Sequence, residues 1–186
     1  MNSETRLTFP IDEVPKYGTL FNINEHINWV RMPLPMSLNH VNLWTLGGID
    51  DLTLIDTGMQ LDDTKDAWIN LIKNENLNIN NVVVTHMHPD HVGLAGWFVK
   101  KYNTTFSMSR TDYLQCRMLS SGIGDEVPSD AISFYTQAGM TEDQIDSFSK
   151  RFGFVGSIVH PLPHSYNRLK DGDHLTVNGI DWITID

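Results

Sequence analysis

The 186-residue chain is 40% hydrophobic, enough apolar material for the core of one compact domain, or of one domain with a sizeable insertion. Its formal charge of −10, with 13 Lys and Arg against 23 Asp and Glu, argues against a nucleic-acid groove, because neutralising phosphates takes a basic patch. One cysteine, Cys116, excludes an intramolecular disulfide and a thiolate-held structural zinc; a small buried side chain in a helix is its expected role. Met1 to Thr5 lack the basic start and apolar run of a secretory signal, and no stretch of about 18 apolar residues follows, so a cytoplasmic protein with no membrane partner is expected.

Residues 1–26 mix Pro10, Pro15 and Gly18 with short apolar groups, which predicts an extended, turn-rich lead-in. Ile27 to Met32 alternates as a strand does and is ended by Pro33 and Pro35. Val41 to Leu46 and Leu52 to Ile55 read as a hairpin around Gly47-Gly48-Ile49-Asp50-Asp51. His40, between Asn39 and Asn42, is expected to be structural. The second strand ends in Asp56-Thr57-Gly58, where a turn would let the acid accept backbone N–H bonds. Leu54 to Gly58 also resembles the apolar-apolar-Asp-Thr-Gly motif of aspartic proteases. That reading needs a second aspartate to share a proton, and it leaves the histidines described below unexplained.

From Leu61 to Asn76 the apolar spacing is helical, with Asp62, Asp63 and Asp66 towards the start and Lys73 near the end, as the helix dipole prefers. A strand over 81–85, an amphipathic helix from Val92 to Tyr102 and a strand over Thr104 to Met108 complete an α/β layer. Leu94, Trp97 and Phe98 are expected to pack onto the sheet. Over 109–154 the pattern changes to about three helices, one starting at Ser109 with Asp112 and one at a Thr141/Gln144 capping box, with breaks at Gly122-Ile123-Gly124 and at Gly139. Their apolar residues, Met118, Phe134, Tyr135, Met140 and Phe148 among them, serve either packing between helices or a lid. Asn178-Gly179 between two alternating runs predicts a second hairpin.

The chemistry concentrates at His86-Met87-His88-Pro89-Asp90-His91. An apolar β-branched run, Val82-Val83-Val84, delivers the backbone to three imidazoles and a carboxylate within six residues. In an extended segment His86 and His88 project to one side and can share an ion. Pro89 favours an extended His88 and starts a helix, so Asp90 and His91 fall in its first turn as a second pair of donors. Imidazole and carboxylate suit a divalent metal: zinc first, iron or manganese next.

His86-x-His88-x-Asp90-His91 resembles the H-x-H-x-D-H signature of the metallo-β-lactamase-fold hydrolases, and the likeness runs from Asn39 to the final residues. It implies an αββα sandwich, with His86 and His88 holding one metal and Asp90 and His91 a second. Asp90 is also implied as the catalytic residue that orients water or takes its proton, and Asp56 as the carboxylate supporting the histidine loop. Segment 109–154 becomes a helical insertion in a single domain, 1–186. The likeness further implies a C-terminal part beyond this sequence, carrying a further histidine for each metal and a bridging aspartate. His160, His164 and His174 precede the strand that would present those ligands and are not assigned their roles. The implied function is metal-dependent hydrolysis of a small ester, thioester, lactone or lactam, with this chain inactive alone and binding metal poorly. Alternatives are a mononuclear iron sulfur-dioxygenase, or a non-catalytic half-domain that forms a homodimer or binds a partner.

Overall fold

A computed structural model describes residues 10–121 and 127–185. Four antiparallel strands come first: β1 (Leu20–Asn24), β2 (Ile27–Pro33), β3 (His40–Gly48) and β4 (Asp51–Ile55). From β4 onward the sheet is parallel, through β5 (Ile79–Val84), β6 (Thr105–Ser109) and β7 (Asn167–Leu169). Parallel neighbours cannot be joined by a tight turn, so helices make the crossovers. These are α1 (Asp62–Glu75) after β4, α2 (Pro89–Val92) and α3 (Ala95–Tyr102) after β5, and α4 (Arg110–Ser120), α5 (Ser129–Gln137), α6 (Glu142–Arg151) and α7 (Val155–Ile158) after β6. The seven strands lie side by side in chain order, and β8 (His174–Val177) with β9 (Ile180–Ile183) forms a separate hairpin.

One face of the sheet builds the core. Every second residue of β2 is buried, and its Val30 and Met32 line up with Leu43 and Val41 of β3. Leu54, Val82, Phe106 and Met108 continue that layer under Trp68 of α1 and Phe98 of α3, whose rings meet edge to face at 5.3 Å. Trp97 is half-buried beside Leu94 and Phe98, which are fully buried, so this face of the helix packs as its periodicity predicts.

The differences from the sequence reading are local. The lead-in contains β1, an edge strand whose Phe21 packs edge-on against Trp29 at 6.0 Å; the cross-strand partner, not the strand's own pattern, creates it. Three-residue β7 is too short to show a period and exists through its pairing with β6. The helix expected over 92–102 starts three residues earlier and is broken into α2 and α3. Leu94 N–H leaves the helical ladder for Gly58 O and Thr57 Oγ1, both at 3.1 Å.

Both hairpins form. Asn178 and Gly179 have φ of 49° and 77°, the two positive values that a tight primed turn requires. The Thr141/Gln144 capping box is present, Ser109 caps α4, and Gly139 at φ 93° follows α5. The break expected at Gly122-Ile123-Gly124 lies outside the described residues. Tyr135 of α5 meets Phe148 of α6 at 4.8 Å, so these aromatics pack the helices against each other. Among the described residues no helix is long and apolar enough to cross a membrane.

Candidate metal centre

The two parallel central strands, β4 and β5, end side by side, and their carboxyl ends hold the polar cluster. Leu54 and Ile55 pair with Val82 and Val83, and Asp56 N–H extends the ladder by one bond to Val83 O at 2.8 Å. Asp56 then turns sharply, with φ of 65°, and its carboxylate is buried under the loop that follows β5. Oδ1 accepts Thr85 N–H, while Oδ2 accepts the Thr85 hydroxyl and faces His91 Nδ1, each at 2.8 Å. Thr57 fastens the far side of the loop: its N–H and its hydroxyl both donate to His91 O at 2.8 Å. Gly93 lets α2 lie this close, since a Cβ there would run into Pro89 O and come within 2.6 Å of Gly58 O.

This frame brings all four predicted donors together as two pairs. His86 Nε2 stands 3.0 Å from His88 Nδ1, and His91 Nε2 stands 3.5 Å from Asp90 Oδ2. The His86 and His91 rings are 4.1 Å apart, so the pairs are neighbours. Among the described residues no group of three His, Cys, Asp or Glu side chains is arranged to hold one ion.

Asp56 reaches both pairs, and proton counting shows how. A hydroxyl has one proton; Thr85 gives it to Asp56, so Thr85 Oγ1, 2.9 Å from His86 Nδ1, accepts from that nitrogen. His86 Nδ1 carries the ring proton, and Nε2 presents its lone pair to His88 Nδ1, 3.0 Å away. His91 Nδ1 donates directly to Asp56, which leaves Nε2 facing Asp90. Burial, then the neighbouring imidazoles of His91 and His88, lower the His86 pKa against the pull of Asp56 and Asp90. Burial also works to lower that of His91, but the hydrogen bond and charge of Asp56, with the charge of Asp90, outweigh it and the net shift is upward.

Other candidates lie elsewhere. His40 Nδ1 meets Asn39 Oδ1 at 2.9 Å, His160 faces Pro161 O, His164 faces Arg117, and His174 pairs with Asp181 at 2.6 Å. The aspartic-protease reading of Asp56 fails on geometry, because its oxygens meet Thr85 and His91 where that chemistry needs a second carboxylate. Thr85 is the residue that sequence reasoning passed over. Its signal was its place, one position after the strand and one before His86.

The family model of the Metallo-beta-lactamase superfamily matches residues 38–169, and the chain belongs to that superfamily. A Beta-lactamase domain protein from Burkholderia ambifaria is 27% identical with a TM-score of 0.76, 92% of this chain covering 50% of that one. A metallo-beta-lactamase family protein from Thermus thermophilus is 23% identical with a TM-score of 0.67, at 88% and 52% coverage. The metallo-beta-lactamase GOB-18 from Elizabethkingia meningoseptica, 15% identical with a TM-score of 0.55, shares the fold over 97% of this chain and 56% of its own. The chain thus spans about half the length of these solved structures. No curated protein matches it.

Proposed function

We propose that this chain supplies two neighbouring metal half-sites of a hydrolase, His86 with His88 for one divalent ion and Asp90 with His91 for a second. Superfamily membership supports a metal-dependent, hydrolase-type function. The observation that carries the assignment is donor spacing. Two ligands each about 2.0–2.1 Å from a tetrahedral zinc stand roughly 3.3 Å apart. The pairs at 3.0 and 3.5 Å bracket that value. Zinc fits imidazole and carboxylate donors best, and iron or manganese fits the same set. Each ion receives two donors from the described residues.

A bound divalent cation supplies a Lewis acid and lowers the pKa of its water to about 7. The chain's own residues do the rest. Asp56, directly and through Thr85, holds His91 and His86 in the tautomers that leave Nε2 unprotonated. Asp90, half-exposed at the start of α2, is placed to orient a water or take its proton. A cavity of about 300 Å³ opens beside Thr85, between the sheet and the β8–β9 hairpin, and is lined by Ile55, Val83, Leu175, Trp182 and Ile183. None of the four donors lines it; the substrate class, an ester, thioester, lactone or lactam, rests on the superfamily likeness, and the acidic balance of the chain disfavours a nucleic acid.

Zinc titration against a chromophoric chelator tests the reading. His86→Ala with Asp90→Ala should abolish what binding the chain has; equal binding by that double variant and the parent would overturn the assignment. For hydrolysis, any longer form of the protein that turns over an ester, thioester, lactone or lactam should lose that activity on chelation and regain it with zinc or manganese. Turnover that survives chelation would overturn the metal-dependent reading.

A further inference from the structure

We propose that Asp112 is a positioning residue for the His86/His88 half-site, gripping the backbone between the two imidazoles so that both present a nitrogen to one ion. The inference rests on the metal reading above. It starts from a cap that departs from its usual form. α4 opens Ser109-Arg110-Thr111-Asp112, an N-cap hydroxyl followed three residues later by an acid. In a capping box that acid returns to the N–H of the N-cap residue. α6 of the same chain does so: Thr141 N–H donates to Gln144 Oε1 at 2.9 Å. Asp112 does something else. Its Oδ2 accepts the Ser109 hydroxyl at 2.6 Å, and its Oδ1 accepts Met87 N–H at 3.0 Å, 25 positions away in sequence.

Asp112 N–H to Ser109 Oγ at 3.1 Å and the Ser109 hydroxyl to Oδ2 stay local, while Oδ1 is spent on the histidine loop. The sheet makes this possible, because Val84 pairs with Met108 and so the ends of β5 and β6 lie side by side. Met87 is then held twice. Its side chain packs against the core and its N–H is fixed by a charge-assisted bond, partly shielded because Asp112 is half-buried. His86 and His88 stand one position either side of a residue anchored inward, with their facing nitrogens 3.0 Å apart. A residue needed only to cap α4 would touch nothing outside α4 and its N-cap.

The test separates the grip from the metal. In the metal-free chain, Asp112→Ala should speed amide hydrogen exchange at Met87 by about ten- to a hundredfold, the loss expected for a bond to a charged acceptor. Asp112→Asn keeps an acceptor oxygen without the charge and should exchange at a rate between the parent and Asp112→Ala; Gln144→Ala, which damages the cap of α6, should leave Met87 unchanged. Zinc affinity, read by chelator competition, should fall about 10- to 100-fold in Asp112→Ala and recover in part in Asp112→Asn, with the cobalt absorption spectrum shifting most in the first variant. If Asp112→Ala does not fold, Asp112→Glu retains charge and cap while displacing the carboxylate by one methylene, and should still speed exchange at Met87. Unchanged Met87 exchange, or unchanged zinc affinity, in a folded Asp112→Ala chain overturns the proposal, as does an Asp112→Asn chain no better than Asp112→Ala. A parent chain that binds neither zinc nor cobalt overturns the metal reading instead, and Met87 exchange still decides the grip.

Discussion

Asp56 meets His91 directly and His86 through Thr85, so its loss should be felt twice. In the metal-free chain, imidazole NMR should show His91 taking up its proton at higher pH than His86, because Asp56 and Asp90 raise the first while burial and neighbouring imidazoles lower the second. Asp56→Asn should bring the two titrations together. The linkage has a definite sign: a raised folded pKa means the Asp56–His91 contribution to stability is whole below the unfolded value of about 6.5 and is lost as pH rises through the folded one. A His91 that titrates below His86 would refute this. Cys116 makes the opposite case. Buried in α4, its thiol is pushed up to about 11, chiefly by desolvation, so alkylation at pH 8 should be slow until the chain unfolds; rapid labelling of the folded chain would contradict that burial. The coming together of His86, His88, Asp90 and His91 was legible because chemistry-bearing residues at a strand end have no packing reason to cluster. Thr85 and Asp112 were not, since a Thr ending a β-branched run reads as strand and Ser-x-x-Asp reads as a cap. Their further partners are supplied only by the sheet.

Elements were legible where the pattern was local. Helix α1 has acids in its first turn, a basic residue in its last and Asn76 in a left-handed conformation at φ 51° after it, all signals carried in its own sequence. What escaped was set by neighbours: β1 by Trp29, β7 by β6, and the break between α2 and α3 by Gly58 and Thr57. Two glycines show the same division. Gly179 faces open space and needs only its positive φ, so Gly179→Ala should cost about 1–2 kcal/mol through backbone strain. Gly93 has an ordinary helical φ of −52° yet is hemmed in by Pro89, Gly58 and Gln60. Gly93→Ala should therefore cost about 1–3 kcal/mol by forcing α2 away from the Asp56 turn, and should weaken metal binding as well. Chemical denaturation with zinc titration checks both. A Gly93→Ala chain of parental stability and affinity would mean that the close approach of α2 to β4 does not set the site.

On the scale of the molecule, the two faces of the sheet are unequally covered, and here the alternation visible in sequence conceals as much as it reveals. Residues that alternate with the core positions should be polar if that face met only water. Here they include Phe21, Trp29, Trp44, Ile55 and Val83, with Trp29 stacked on Trp44 at 6.1 Å. The β8–β9 hairpin shelters Ile55 and Val83, while Trp44 stays 39% exposed and Ile183 and Ile185, on the hairpin side, 59% and 87% exposed. Soluble monomers seldom present so continuous an apolar surface, because each buried Å² returns about 25 cal/mol once water is removed. We therefore propose that this face is covered by a second layer, and that for the chain by itself the cover is another copy of the same face. Sedimentation should show dimers that dissociate on dilution, and Trp44→Arg with Ile183→Asp should yield a monomer that retains zinc affinity, because neither residue belongs to the donor pairs. A parent chain that sediments as a monomer at every concentration, with its tryptophan fluorescence unchanged, would show that the stacked Trp29–Trp44 pair and the hairpin suffice to shield the sheet.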